Sequence, residues 1–293
     1  MKAAFCRSVL AAGVLIFLCY GSFASDKGAY YHSFKDQGIE REYYLYVPDG
    51  LDTEGAPLVF SLHGYGGLAW DNFPGMMETA AREGFAICYP QGAVDPNGRR
   101  AWEVGYPFQA GNRIDDVKFL VRLAHLLQHK YGFSRKATFV TGMSNGGEMC
   151  YYLAYRAADT FRAVAPIAGL QMEWMYKSLD AKKAVPLMEV HGTEDTISWW
   201  QGDLENKGGW GEYLPVEIAV GNWVSINRCT DLKVEERPRL SEDSHPVVLY
   251  RYTGGTEGTE VRLYKVIDGS HSHSNDSMHT SDEVWSFFSR FID

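Results

Sequence analysis

One stretch, residues 137–151 (ATFVTGMSNGGEMCY), constrains the fold of this chain more than any other. It opens with β-forming residues, turns on glycines and continues with good helix formers. At the turn, Gly142-Met143-Ser144-Asn145-Gly146 spells G-x-S-x-G. A turn this tight presses the positions two before and two after the serine against neighbouring backbone, so both must lack a Cβ. Gly142 and Gly146 meet that need, and Gly147 adds room. The serine is held out of the chain, ahead of a helix N-terminus whose free N–H groups and positive dipole end face it. So placed, a serine hydroxyl becomes a nucleophile if a base and hydrogen-bond donors stand beside it. A plain Gly/Ser connection is the competing reading. The strand before and the helix after favour the strained elbow.

The flanking sequence predicts the sheet that such an elbow needs. Residues 30–34 and 40–47 alternate and are separated by Lys35-Asp36-Gln37-Gly38, a hairpin signature. Runs at 57–62, 85–89, 161–168 and 186–191 are nearly continuously apolar, as in strands covered on both faces. Two further runs, 247–252 and 261–267, alternate. Helices are expected over 76–83, 115–131, 216–227 and 281–291, besides the one after the elbow. In 115–131, Val117, Leu120, Val121, Leu123, Ala124 and Leu127 share one face, with acids in the first turn and Lys130 in the last. The alternation gives an α/β fold: a mostly parallel sheet with helices on both faces, preceded by an antiparallel hairpin. Residues 90–113 form a loop long enough to be functional. No repeat or linker divides the chain of 293 residues, so 25–293 is expected to be one catalytic domain.

Residues 1–24 read as a signal peptide and not as part of the fold. Lys2 and Arg7 form a positive start, 9–20 is apolar but too short to span a bilayer, and Ser22 and Ala24 suit a cleavage site. The expectation is a secreted or periplasmic protein cut after Ala24, with no membrane anchor; Leu18 before Cys19 does not suit lipidation. A formal net charge of -9 with no basic stripe argues against nucleic acid or an anionic membrane surface as partner. Beyond the signal segment stand Cys88, Cys150 and Cys229, which permit one disulfide at most. Cys88 and Cys150 read as small buried hydrophobes.

In a parallel sheet, reactive groups gather in loops past the carboxyl ends of strands. The run ending at His191 leads into Gly192-Thr193-Glu194-Asp195, and the run ending at Ile267 leads into Asp268-Gly269-Ser270-His271. The chain order Ser144, Asp195, His271 is that of α/β-hydrolases. His271 is the expected base, and Asp195 would fix its tautomer and stabilise the imidazolium; Glu194 is the competing carboxylate. For the oxyanion, the N–H of Asn145 and the N–H of Tyr65, in His63-Gly64-Tyr65-Gly66-Gly67, are the expected donors. His125 and His129 lie at i, i+4 but lack the glutamate of a metalloprotease helix. His271, His273 and His279 with Asp276 form a second conceivable metal cluster. Neither is preferred, and no metal or cofactor is expected. Trp199, Trp200 and Trp210 crowd the loop after Asp195, either as ordinary packing or as a flat apolar face for a ligand.

Seven motifs run in order: LHGYGG (62–67), YPQG (89–92), DDVKFL (115–120), TGMSNGG (141–147), FRAVAPIAG (161–169), HGTED (191–195) and DGSH (268–271). Together they resemble the polyhydroxybutyrate depolymerase and feruloyl esterase group of secreted α/β-hydrolases, carbohydrate esterase family 1. The resemblance implies the α/β-hydrolase fold and a serine carboxylesterase without cofactor, its nucleophile at Ser144, acid at Asp195 and base at His271. This chain departs from the family at Ser272-His273-Ser274, where Trp-Pro is common, and at Trp102-Glu103, where Trp-Asn is common. The family's partner for Cys229 has no counterpart around Gly254-Gly255. A polymer-derived ester is the implied substrate, foremost a hydroxycinnamate ester of plant polysaccharide, with Trp199, Trp200 and Trp102 as binding residues. Polyhydroxyalkanoates and acetylated carbohydrates are the alternatives. A non-catalytic binding protein on the same fold is the reading from another class, and the complete Ser/Asp/His set speaks against it.

Overall fold

A computed structural model describes residues 29–69 and 73–292, so the expected signal peptide lies outside the described residues. Twelve strands are present: β1 (Tyr30–Asp36), β2 (Ile39–Tyr46), β3 (Leu58–Leu62), β4 (Ala86–Pro90), β5 (Ala93–Val94), β6 (Arg100–Ala101), β7 (Thr138–Met143), β8 (Val164–Ile167), β9 (Leu187–Gly192), β10 (Asp231–Glu236), β11 (Val247–Thr253) and β12 (Val261–Val266). Ten of them form one sheet in the order β1-β2-β4-β3-β7-β8-β9-β12-β11-β10. Its middle, from β4 to β12, is parallel. Antiparallel pairs close both ends: β1–β2 on one side and β10–β11–β12 on the other. The first hairpin turns at Gln37-Gly38, both with positive φ (51° and 86°), the backbone a two-residue turn between twisted strands requires.

Helices α2 (Asp116–Tyr131), α3 (Asn145–Arg156) and α5 (Val216–Asn227) cover one face, and α1 (Met76–Glu83) and α6 (Thr280–Phe288) the other. Alternation on β3 explains the two layers: Leu58, Phe60 and Leu62 enter the first core, and Val59 enters the second. Period two sends neighbours to opposite faces, so a strand covered on both sides must be apolar throughout. A short helix, α4 (Glu173–Ser178), follows β8.

One buried ion pair anchors the long loop that borders the site. Asp115 caps α2 by accepting from the Lys118 N–H at 2.9 Å. Asp116 turns inward, pairs with Arg41 of β2 at 2.6 Å and accepts from the Glu103 N–H at 2.8 Å. The Arg41 guanidinium also lies 3.6 Å from the centre of the Phe119 ring. The DDVKFL motif therefore serves twice, its first acid as cap and its second as tether.

Candidate active site

Ser144 sits between β7 and α3 with φ 55° and ψ −121°, a region that non-glycine residues avoid. The strain is held by surrounding backbone: the Ser144 N–H donates to the Ile167 carbonyl at 2.9 Å. A Cβ on Gly142 would collide with Gly146, and one on Gly146 would collide with the Leu62 and His63 carbonyls. Both glycines of the motif are thus required by contact as well as by turn geometry. Gly64 also abuts the serine; a methyl there would lie 3.4 Å from the Ser144 Cβ.

Two sheet positions away, the loop after β9 carries Asp195, and the next strand, β12, leads to His271. These loops are joined by backbone: Thr193 N–H to Val266 O at 2.9 Å and Glu194 N–H to Gly269 O at 3.0 Å. The Asp195 Oδ2 is 2.7 Å from His271 Nδ1, while its Oδ1 accepts from the Ile197 and Ser198 N–H groups at 2.8 Å each. Burial alone would raise this carboxyl. The His271 bond, the charges of His271 and His191 and the Ile197 N–H outweigh it and hold Asp195 below its usual range. Glu194, the competing carboxylate, points to solvent. A cavity of about 190 Å³ is lined in common by Gly64, Tyr65, Met143 and His273, the last two being sequence neighbours of Ser144 and His271.

The loop after β3 is strapped down by a network the sequence did not announce. His63 is 5 % exposed, and its Nε2 accepts from the Gly92 N–H at 2.9 Å, which leaves the ring proton on Nδ1 to donate to the Gly64 carbonyl at 2.7 Å. The Gln91 amide Nε2 also reaches His63 Nε2 at 2.8 Å, giving the YPQG motif a physical role. From the other side, the Trp102 indole N–H donates to the His63 carbonyl at 2.9 Å. The Asn145 side chain closes the ring of contacts, accepting from the Trp102 N–H at 2.7 Å and donating to the Trp102 carbonyl at 3.2 Å. The Ser144 turn and the loop after β3 are therefore fixed to one another through Trp102.

Beneath them, Glu148 on α3 accepts from the Tyr106 hydroxyl. Burial lifts the Glu148 carboxyl to about 7; the bonds to Tyr106 and Asn145 pull the other way, and Glu189 adds to the rise. Tyr106 also belongs to a cluster of aromatic rings. Trp210 meets Tyr65 at 5.3 Å, Tyr106 at 5.4 Å and Phe108 at 6.0 Å between ring centres, in tilted or edge-on pairs. Tyr65, Phe108 and Trp210 are half-buried, so they form an apolar wall that still meets solvent beside the oxyanion loop.

The indoles expected to bind substrate differ in burial. Trp102 is fully buried and serves as a strut, with no ring face open to a ligand. Trp200 is 8 % exposed, its ring held between the His191 ring at 6.0 Å and the Lys265 ammonium at 4.7 Å. In sequence, a buried indole and a ligand-facing indole have the same composition signal. Trp199 is half-buried, with its indole N–H on the Thr196 carbonyl at 2.9 Å. His125 and His129 are exposed on α2. His273 stacks on Phe73 at 4.8 Å, and burial, together with the charge of His271, pushes it down to about 4. Among the described residues, no group of three His, Cys, Asp or Glu side chains is arranged to hold a metal ion. Cys88, Cys150 and Cys229 are free thiols, the first two buried. No helix among the described residues is long and apolar enough to cross a membrane.

A central parallel sheet with the elbow after β7, an acid loop after β9 and a histidine loop after β12 defines the α/β-hydrolase fold. Solved structures agree: an acetyl xylan esterase from Aspergillus awamori superposes with a TM-score of 0.61 at 13% identity, covering 88% of this chain and 98% of that one. An S-formylglutathione hydrolase from Agrobacterium tumefaciens gives 0.57 at 14% identity, covering 94% and 100%. Residues 41–198 match the esterase PHB depolymerase family, and the chain belongs to it. It is a carboxylic ester hydrolase. Among named relatives, feruloyl esterase C of Emericella nidulans is 29% identical over 75% of this chain and 78% of its own length. A bifunctional acetylxylan esterase/xylanase of Neocallimastix patriciarum is 23% identical over 88% of this chain. The match covers only 34% of that longer protein.

Proposed function

We propose that the protein is a secreted serine esterase that cleaves hydroxycinnamate esters of plant polysaccharide through an acyl-enzyme on Ser144. The Ser144 Oγ attacks the ester carbonyl carbon while His271 Nε2 takes its proton, and the Asp195 carboxylate holds the opposite ring nitrogen. The N–H groups of Tyr65 and Asn145 receive the oxyanion; Asn145 opens α3, so its N–H has no acceptor within the helix. Each such donor contributes about 3–4 kcal/mol to the transition state. Collapse breaks the bond to the alcohol, which leaves with the proton from His271. Water then repeats the sequence on the acyl-enzyme and releases the acid.

The observation that carries this reading is the 2.7 Å Asp195–His271 bond presented at the same sheet edge as a serine in a strained backbone. The aromatic acyl preference rests on the wall of Tyr65, Phe108 and Trp210 beside the oxyanion loop, and on the similarity to feruloyl esterases. Export rests on the signal-like composition of residues 1–24. Methyl ferulate, a short hydroxybutyrate oligomer and acetylated xylan, compared side by side, test the substrate. Ferulate ester is expected to give the highest kcat/KM. Cleavage of the oligomer alone would remove the feruloyl reading, and cleavage of acetylated xylan alone would make the enzyme a carbohydrate acetyl esterase.

A further inference from the structure

Behind Asp195 lies a polar pair that the chemistry above leaves unused. Glu189 and His191 stand two residues apart on β9, so they point to the same side of the sheet. They are 0 % and 1 % exposed. A buried carboxylate and imidazole are costly unless their polar atoms are bonded, and these are. His191 Nδ1 is 2.8 Å from Glu189 Oε1, and Nε2 is 2.7 Å from the Ser198 carbonyl oxygen. The Glu189 Oε2 accepts from the Tyr151 hydroxyl at 2.9 Å, and the Gly169 N–H also donates to this carboxylate. His191 Nε2 further lies 3.5 Å from Asp195 Oδ2, the oxygen bonded to His271.

The donors assign the protons. A carbonyl oxygen only accepts, so Nε2 carries one. Glu189 accepts from Gly169 and Tyr151, bonds that favour its charged form, and as a carboxylate it accepts from Nδ1 as well. In that protonation state both ring nitrogens donate and His191 is an imidazolium. Charges then alternate in a line: Glu189 negative, His191 positive, Asp195 negative, and His271, which turns positive when it takes the serine proton. Tyr151, Cys150 and Glu148 of α3 are the other ionisable groups beside Glu189, and Lys265 of β12 stands beyond the Trp200 ring. Among the described residues, Asp195 has ion-pair contact with His191 and His271 alone.

Building on the Ser144–His271–Asp195 reading, we propose that Glu189 and His191 are positioning residues that set the charge beneath Asp195. Glu189 holds His191 as a cation, and that cation offsets part of the Asp195 charge, so that His271 stays unprotonated, and active as a base, at lower pH. Burial opposes both charges and leaves the Glu189 carboxyl raised, against the pull of His191, Tyr151 and Gly169; on the His191 side, Glu189, the Ser198 carbonyl and Asp195 outweigh burial and raise its proton affinity.

Glu189→Gln tests this with little change of shape. The glutamine amide donates to His191 Nδ1 and accepts from Tyr151 and Gly169, leaving a neutral His191 whose one proton still faces Ser198. The acid limb of kcat/KM for a p-nitrophenyl ester is expected to move up by about one pH unit. The plateau above the limb stays within about threefold of the parent. A folded variant with an unmoved limb overturns the proposal. Nitrogen NMR of His191 in the unaltered enzyme at pH 7 gives a reading independent of the variant's folding: two protonated ring nitrogens are expected, and a neutral single tautomer overturns it. Ser144→Ala, assayed in parallel, separates the two levels. Surviving hydrolysis there removes the triad and this proposal together, whereas an inactive Ser144→Ala with an unmoved Glu189→Gln limb removes this proposal alone.

Discussion

Asn145→Ala probes the strut between the Ser144 turn and the loop after β3. The side chain is fully buried and holds the Trp102 N–H, the Trp102 carbonyl and the Tyr106 hydroxyl. In the alanine variant, the Trp102 carbonyl keeps the Gln109 amide at 2.9 Å, and the Tyr106 hydroxyl keeps Glu148. Only the Trp102 N–H is left buried without a partner among the described residues. An orphaned buried donor costs about 1–3 kcal/mol, and the void left by the amide adds about 1 kcal/mol. The sum, about 2–4 kcal/mol, lowers Tm by roughly 5–15 °C in a chain of this size. Because alanine keeps its backbone N–H, the proposed oxyanion donor itself survives. The expected kinetic change is a fall in kcat of about 10–100-fold from loosened geometry, with KM little changed. Thermal unfolding and initial rates at 25 °C read both quantities. A variant that melts within 2 °C or so of the parent and keeps its kcat would refute the reasoning.

Three further outcomes follow from the same geometry. Trp210→Ala is expected to lower kcat/KM on methyl ferulate about tenfold more than on p-nitrophenyl acetate, while Trp200→Ala lowers both alike; equal losses in Trp210→Ala would count against the aromatic wall. The Glu148 carboxyl stands at about 7 against 4.5 for a solvated glutamate, so it costs nothing below pH 4.5 and its penalty grows as pH rises through 7. The full penalty is about 3 kcal/mol. Relative to the parent, Glu148→Gln should therefore gain that much between pH 4.5 and 8 in urea unfolding, and parallel pH dependence would exclude the burial account. Gly221, inside α5, has nothing within 4 Å of an added Cβ, so Gly221→Ala is expected to raise stability by about 0.5–1 kcal/mol; a loss on urea unfolding would contradict the helix-entropy argument.

Elements with strong periodicity were legible from residue type: α1 and α5 span the expected 76–83 and 216–227. Strand β10 was not, because DLKVEE is an exposed edge strand held by β11, and its short Leu232/Val234 alternation among charged residues faces solvent instead of a core. Helix α4 has six residues and depends on Met175 packing, too little for a periodic signal. Within the site, the loops carrying Ser144, Asp195 and His271 could be placed because topology sends the ends of parallel strands to one edge. Their supports could not. His63, Asn145 and Glu148 read in sequence like residues that could equally face water, and only folding shows them bonded to buried backbone or to one another. Glu189 and His191 left one usable sign, two polar residues at period two inside an apolar run. Trp102 shows the converse: aromatic residues near a site do not reveal in sequence which ring is open to a ligand and which is a buried strut.

The most direct test of the catalytic account is labelling with a serine-directed p-nitrophenyl phosphonate, read by peptide mass spectrometry alongside residual activity. One phosphonyl group per chain on the peptide containing Ser144, with activity lost in step, is the predicted result. Complete inactivation with the label on another residue, or full activity with Ser144 labelled, would contradict it.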